Sequence, residues 1–345
     1  VDSPDHAMTT SGQNDENESR LERRRRRGRQ VREGSPRRSG GGVASVPVWR
    51  AWLLAVRPRT LPAAVAPVVV GTAMAAAHQA AALYPALAAL VGALLIQIAT
   101  NLANDYFDHA RGTDTDERLG PVRVTQAGLL SPEAVLRGTW ITLALAVLVG
   151  GYLVWVGGLP ILVIGLVSLA CAVAYTGGPF PLAYHGLGDL FVFVFFGLVA
   201  VGGTYWVQAL AFRTELLLAG AGVGALITAI LVVNNLRDRE GDEVAGKRTM
   251  AVILGESGSR IQYAGLLAVG ALAPVLGVAL AGWSAWTLLA LLGFRFALGP
   301  LERIMTFAHP RELNPALGQT ARLVTWYSGL LALGFILGSP VGPLA

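Results

Sequence analysis

Two clusters of carboxylates and amides in this sequence have the make-up of a site for a divalent cation. The first reads Asn101-Leu-Ala-Asn104-Asp105-Tyr-Phe-Asp108, followed by Asp114, Asp116, Arg118 and Arg123. The second reads Asn234-Asn235-Leu-Arg-Asp238-Arg-Glu-Gly-Asp242, followed by Lys247 and Arg248. Asn234, Asp238 and Asp242 are four residues apart, as are Asn101 and Asp105, so on a helix their oxygens share one face. Asp108 adds a further ligand to the first cluster. Carboxylates at this spacing repel each other unless a cation lies between them. Hard oxygen ligands of this kind suit Mg2+, which keeps some waters and is completed by substrate phosphate. Arg118, Arg123, Lys247 and Arg248 are placed to neutralise a diphosphate held there.

Either cluster alone reads equally well as a set of solvated loop charges. The repetition argues for a site, although the register of the two copies stays open. An offset of 130 residues aligns Asn104 and Asp108 with Asn234 and Asp238, whereas an offset of 133 aligns Asn101 and Asp105 with them.

The elements that must hold these clusters are membrane spans. Of 345 residues, 53% are hydrophobic and 14% charged, against about 25% charged in soluble domains, and the mean hydropathy is +0.53. Apolar stretches near the ~20 residues that cross a hydrocarbon layer recur nine times, at 60–78, 83–105, 134–156, 159–177, 188–211, 215–236, 260–281, 284–301 and 320–338. The two clusters follow the second and the sixth. Gly220-Ala-Gly-Val-Gly224 has the small-residue spacing that lets membrane helices approach closely. The positive-inside rule puts the N-terminus and both clusters in the cytoplasm and the tail Ser339–Ala345 outside. The inner connections carry Arg111, Arg118, Arg123, Arg237, Arg239, Lys247, Arg248, Arg303 and Arg311, and the outer ones only Arg213. Arg295 falls within the eighth span, where such a residue faces the bundle interior or snorkels to an edge.

Residues 1–46 hold ten arginines between Arg20 and Arg38 and too little apolar surface to fold, so a disordered, Arg-rich tail is expected before a transmembrane domain at 47–345. Beside a membrane domain such a tail contacts anionic lipid or enforces orientation, and no nucleic-acid partner is expected. No cleavable signal is expected in these polar residues. Cys171 is the single cysteine, which excludes a disulfide framework within one chain. His78, His109, His185 and His309 share no metal-ligand spacing.

The paired clusters resemble the Asp-rich motifs of the UbiA superfamily of intramembrane prenyltransferases, over about Trp49 to Leu337. Four further stretches, in order, narrow the likeness to members that act on 1,4-dihydroxy-2-naphthoate in menaquinone synthesis. They are Arg57-Pro-Arg-Thr-Leu-Pro62, Gly120-Pro-Val-Arg-Val-Thr-Gln-Ala-Gly128, Tyr175-Thr-Gly-Gly-Pro-Phe-Pro-Leu182 with Gly186-Leu-Gly-Asp189, and Gly246-Lys-Arg-Thr249. The resemblance implies an all-α polytopic protein of a bacterial plasma membrane. Its architecture would be about nine transmembrane helices around a central cavity, as two four-helix pseudo-repeats plus one helix. It also implies transfer of a polyprenyl group from polyprenyl diphosphate to the naphthoate with decarboxylation. Mg2+ would be held by Asp105, Asp108, Asp238 and Asp242, with Asn101, Asn104 and Asn234 as further ligands. Tyr175, Tyr184 and Asp189 are candidates for handling the acceptor or shielding a carbocation; interfacial anchoring is the other reading of the tyrosines. Gly112 and Asn234 or Asn235 depart from the superfamily, which often has acids there. Two other readings compete: a related enzyme using another aromatic acceptor, and a membrane transporter. Carboxylates gathered at helix ends, rather than at mid-membrane, disfavour the transporter.

Overall fold

The structure is a computed structural model and describes residues 46–112, 119–120 and 123–339. The tail expected at 1–46 lies outside the described residues apart from Val46, as do Asp114, Asp116 and Arg118, and the C-terminal tail beyond Ser339. Every regular element among the described residues is a helix. A short α1 (Val48–Val56) turns at Arg57, which has φ 56, and continues at an angle of 50° into α2 (Pro62–Ala77). Then follow α3 (Leu83–Ala110), α4 (Pro132–Gly157) and α5 (Leu159–Ala174). Next are α6 (Gly188–Ala209), α7 (Glu215–Val244) and α8 (Met250–Leu280), the last broken at Gly255. A 3₁₀ helix (Ala285–Phe296), α9 (Leu298–Thr306) and α10 (Asn314–Leu337) complete the bundle.

Eight of the nine expected stretches fall on one helix each, and the eighth, 284–301, covers the 3₁₀ helix and the start of α9. By length and apolarity six helices can cross a membrane, or seven if the bent α1–α2 pair is one span. The two shorter ones, α5 and the 3₁₀ helix, have 16 and 12 residues. At 1.5 and 2.0 Å per residue each is about 24 Å long, short of the ~30 Å hydrocarbon layer.

The expected boundaries shift in one respect that matters to the site. The second and sixth stretches were bounded at 105 and 236, but α3 runs on to Ala110 and α7 to Val244. The amide and acid residues at 101–108 and 234–242 therefore sit on the last turns of two helices. Hydropathy marks where a helix leaves the apolar layer, and hydrogen bonding carries it further. Gly112 explains one departure from the superfamily pattern: it takes φ +66 just beyond α3, a left-handed position that favours glycine over an acid. At the other end of the bundle, Gly158 (φ 70) makes the reversal between α4 and α5.

Helix α7 is the axis of the bundle. In its most apolar window 72% of residues are buried, against 17% for α4, so α4 is peripheral. Leu226 and Val233 of α7 pack with Met74, Tyr263 and Tyr327 of α2, α8 and α10 in one core. The Gly220–Gly224 spacing lies where α6 crosses α7: a Cβ on Gly224 would sit 2.7 Å from the Phe193 carbonyl oxygen and 2.9 Å from the Gly197 Cα. That contact is on the π-helical stretch of α6, Phe193–Val199.

Candidate active site

Helices α3 and α7 bring their acidic turns to one cavity of about 1200 Å³. Its polar end is lined by Asn101, Asn104 and Asp108 from α3, and by Asn234, Asp238 and Asp242 from α7. Arg123, Lys247, Tyr175 and Asp189 complete that end. Its other walls are apolar, with Leu153, Ile161, Leu162, Phe195 and Val199 among them.

Asp105 and Asp108, which spacing alone left in competition, have different surroundings. Asp105 is 1% exposed and is not among the residues that line the cavity. It accepts hydrogen bonds from the Val124 and Thr125 amides at 3.2 and 3.1 Å and from the Thr125 hydroxyl. It therefore anchors the turn that carries Arg123. Asp108 faces the cavity and accepts from Arg123 Nη2 at 2.7 Å and from the Tyr184 hydroxyl at 3.0 Å. Lys247 Nζ lies 3.5 Å from Asp108 and 3.9 Å from Asp242, so its ammonium bridges the two acidic helices. The cavity-facing pairs are thus Asn104 with Asp108 and Asn234 with Asp238, the offset of 130 residues.

The amides are partly committed. Asn101 donates to the Val56 carbonyl at 2.8 Å and to the Thr60 hydroxyl at 3.1 Å, fastening the α1–α2 bend to α3. Asn104 accepts from the Thr176 hydroxyl at 2.7 Å. Arg111 donates to the Thr176 and Gly178 carbonyls, fixing the turn after α5 against the end of α3.

That turn delivers Tyr175 and Tyr184. Tyr175 lines the cavity. Gly188 gives it room, since a Cβ there would lie 3.0 Å from the Tyr175 hydroxyl. Tyr184 stands behind Asp108 rather than on the cavity wall, with Lys247 Nζ 4.8 Å and the Arg111 guanidinium 5.1 Å from its ring centroid. Asp189 is 6% exposed, and its oxygens accept from Gln262 at 2.6 Å and Asn235 at 3.4 Å. Arg248 is exposed; its backbone amide, not its side chain, joins this region by donating to the Tyr184 carbonyl at 3.1 Å. Arg118 lies outside the described residues.

One residue of this site was not singled out from sequence. Arg237, counted there only as an inner-loop charge, is 1% exposed. Its guanidinium grips both Asp238 oxygens at 2.8 and 2.7 Å, Asn234 at 2.7 Å and Asn314 at 3.3 Å. Asn314, the first residue of α10, donates in turn to the Leu119 carbonyl at 3.1 Å. An arginine set directly before an acid of the four-spaced series was the available signal.

The donor set suits Mg2+ in kind. Asp108, Asp238, Asp242, Asn104 and Asn234, all on one cavity, offer hard oxygen ligands. Among the described residues no three His, Cys, Asp or Glu side chains converge on one metal position. They form instead two half-sites, with protein cations resting on the carboxylates.

A helical membrane bundle whose acidic helix ends close one end of a large apolar cavity has the architecture of an intramembrane transferase of isoprenoids. The chain belongs to the UbiA prenyltransferase family, whose model it matches over residues 64–317. It is 42% identical over 288 residues to a 1,4-dihydroxy-2-naphthoate octaprenyltransferase of Mycobacterium tuberculosis, covering 82% of this chain and 97% of that one. It is 38% identical over 300 residues to the protein of the same name from Escherichia coli, covering 84% and 96%. Among solved structures it is similar to the apo UbiA homolog from Aeropyrum pernix, with a TM-score of 0.61 and 16% identity over 85% of this chain and 98% of that one. A UbiA homolog from Archaeoglobus fulgidus bound to GPP and Mg2+ is also similar, with a TM-score of 0.56 and 15% identity over 81% and 99%.

Proposed function

We propose that this protein transfers an all-trans polyprenyl group from its diphosphate to 1,4-dihydroxy-2-naphthoate, with loss of the ring carboxylate, giving a demethylmenaquinol. The observation that carries this reading is the single cavity that joins an acidic and cationic end to long apolar walls. It matches a substrate with a diphosphate head and a hydrocarbon tail. The naphthoate is supported by relatives of that name covering more than 80% of the chain.

Asp108, Asp238 and Asp242, with Asn104 and Asn234, would hold Mg2+, which supplies positive charge against the diphosphate leaving group. Arg123 and Lys247, already at the carboxylates, donate to phosphate oxygens and favour departure of the diphosphate as the allylic C–O bond breaks. Tyr175 offers its ring face to the allylic cation. Asp189, held by Gln262 and Asn235, takes a phenolic proton as the ring carbon attacks, and returns it to the ring oxygen when CO2 leaves. Tyr184 keeps Asp108 and Lys247 in place. Arg237 sets the rotamer of Asp238, and Asp105 sets the loop of Arg123.

The bundle crosses the membrane nine times in this reading, with α5 and the 3₁₀ helix as short crossings, two four-helix pseudo-repeats (α2–α5 and α6 to the 3₁₀ helix) and α10 added. The acidic end faces the cytoplasm. Purified protein given Mg2+, polyprenyl diphosphate and either dihydroxynaphthoate or 4-hydroxybenzoate is expected to consume the naphthoate alone. Turnover of the benzoate without the naphthoate would sink the assignment of the acceptor.

A further inference from the structure

Arg295 and Arg322 take no part in the cavity, and both are exposed. We propose that they form a binding site for the phosphate of an anionic membrane phospholipid, on the outer face of the bundle near its acidic end. Both guanidiniums attend one ring, at 5.2 and 5.1 Å from the Phe296 centroid, and Phe296 stacks on Trp326 at 5.7 Å. Among the described residues neither arginine has a hydrogen-bond or ion-pair partner. Two guanidiniums that attend the same ring on an exposed face, each without an acidic partner, favour an anion beside them.

The surroundings say what kind of anion. Leu292, Leu298 and Trp326 on the same face are 62%, 70% and 49% exposed, so the face is apolar and turned towards lipid. Depth is fixed by α10, whose first residue, Asn314, is bonded to Arg237 at the acidic end. Arg322 lies eight residues further on, about 12 Å along the axis. Helical side chains lean towards the N-terminus, which carries this guanidinium back towards the headgroup layer. The 3₁₀ helix runs antiparallel to α10, with Thr287 against Gly334 and Gly293 against the Tyr327 backbone, so Arg295, two residues later, comes back towards the level of Arg322. A pair of guanidinium forks between helices at headgroup depth fits the phosphate of an acidic lipid. Sequence reading placed Arg295 in the interior or at an edge, and Arg322 supplies the second charge that makes the edge a site.

The test is native mass spectrometry of the full chain with phosphatidylglycerol, phosphatidylcholine or inorganic phosphate added. The wild type is expected to retain one phosphatidylglycerol in preference to phosphatidylcholine, with millimolar phosphate failing to displace it. Arg295→Gln/Arg322→Gln should weaken that retention by roughly 10- to 30-fold, and single Arg322→Gln by less, while Arg303→Gln leaves it unchanged. Equal retention of both lipids by the wild type overturns the proposal whether or not the variants fold. Unchanged retention in the double variant, or displacement by inorganic phosphate, overturns it too.

Discussion

Asp105 and Asp108 sit three residues apart on the same helix, both 1% exposed, yet their partners give them separate work. Replacing Asp108 with Asn should leave the protein folded and lower kcat by at least about a hundredfold, because in the proposed site it removes a carboxylate that would hold Mg2+ against the diphosphate. Replacing Asp105 with Ala should instead destabilise the fold by about 1–3 kcal/mol, since it strands the buried Val124 and Thr125 amides. Thermal unfolding alongside turnover separates the two; equal loss of turnover with unchanged melting in both would contradict the assignment. Arg237→Lys keeps a charge but loses the two-pronged grip on Asp238, so the Mg2+ concentration for half-maximal activity should rise while the KM for naphthoate stays put. A KM that rises instead would place Arg237 on the acceptor. Four-residue spacing identified the acid faces in the sequence. It did not separate Asp105 from Asp108, because the deciding donors come from a turn about 20 residues later. Arg237 was missed because an arginine among loop charges carries no mark of burial.

At the scale of elements, the cavity's width is set where helix backbones are bare. Gly150 of α4, Gly165 of α5 and Gly203 of α6 line the cavity, and a Cβ on any of them would meet nothing within 4 Å. Gly165→Leu should therefore fold normally and shift the products towards shorter prenyl chains, as read by liquid chromatography with a mixture of diphosphates. An unaltered chain-length distribution would mean that the tail runs elsewhere. Gly224→Val is the opposite case, because its side chain would meet the α6 backbone, and a loss of about 1–3 kcal/mol is expected in thermal unfolding. Hydropathy located the nine apolar stretches, and the glycine spacing pointed to a close crossing. The extension of α3 and α7 past their apolar ends was not legible, nor was the 3₁₀ winding of Ala285–Phe296. Neither changes the composition of the segment that forms it.

At the scale of the molecule, α3 and α7 hold their acidic turns against a common cavity through contacts that span the chain. Lys247 joins Asp108 to Asp242, and Asn314 joins Arg237 to the Leu119 carbonyl. The repetition of the clusters on one side was visible from charge placement. Their convergence depends on tertiary contacts that no local pattern encodes. The central claim is that one cavity couples diphosphate departure to decarboxylation of the ring. It is tested most directly with carboxyl-labelled dihydroxynaphthoate and polyprenyl diphosphate, following labelled CO2 and diphosphate together. Equimolar release by the wild type, with both lost in Asp108→Asn, is the predicted result; diphosphate release without labelled CO2 would contradict it.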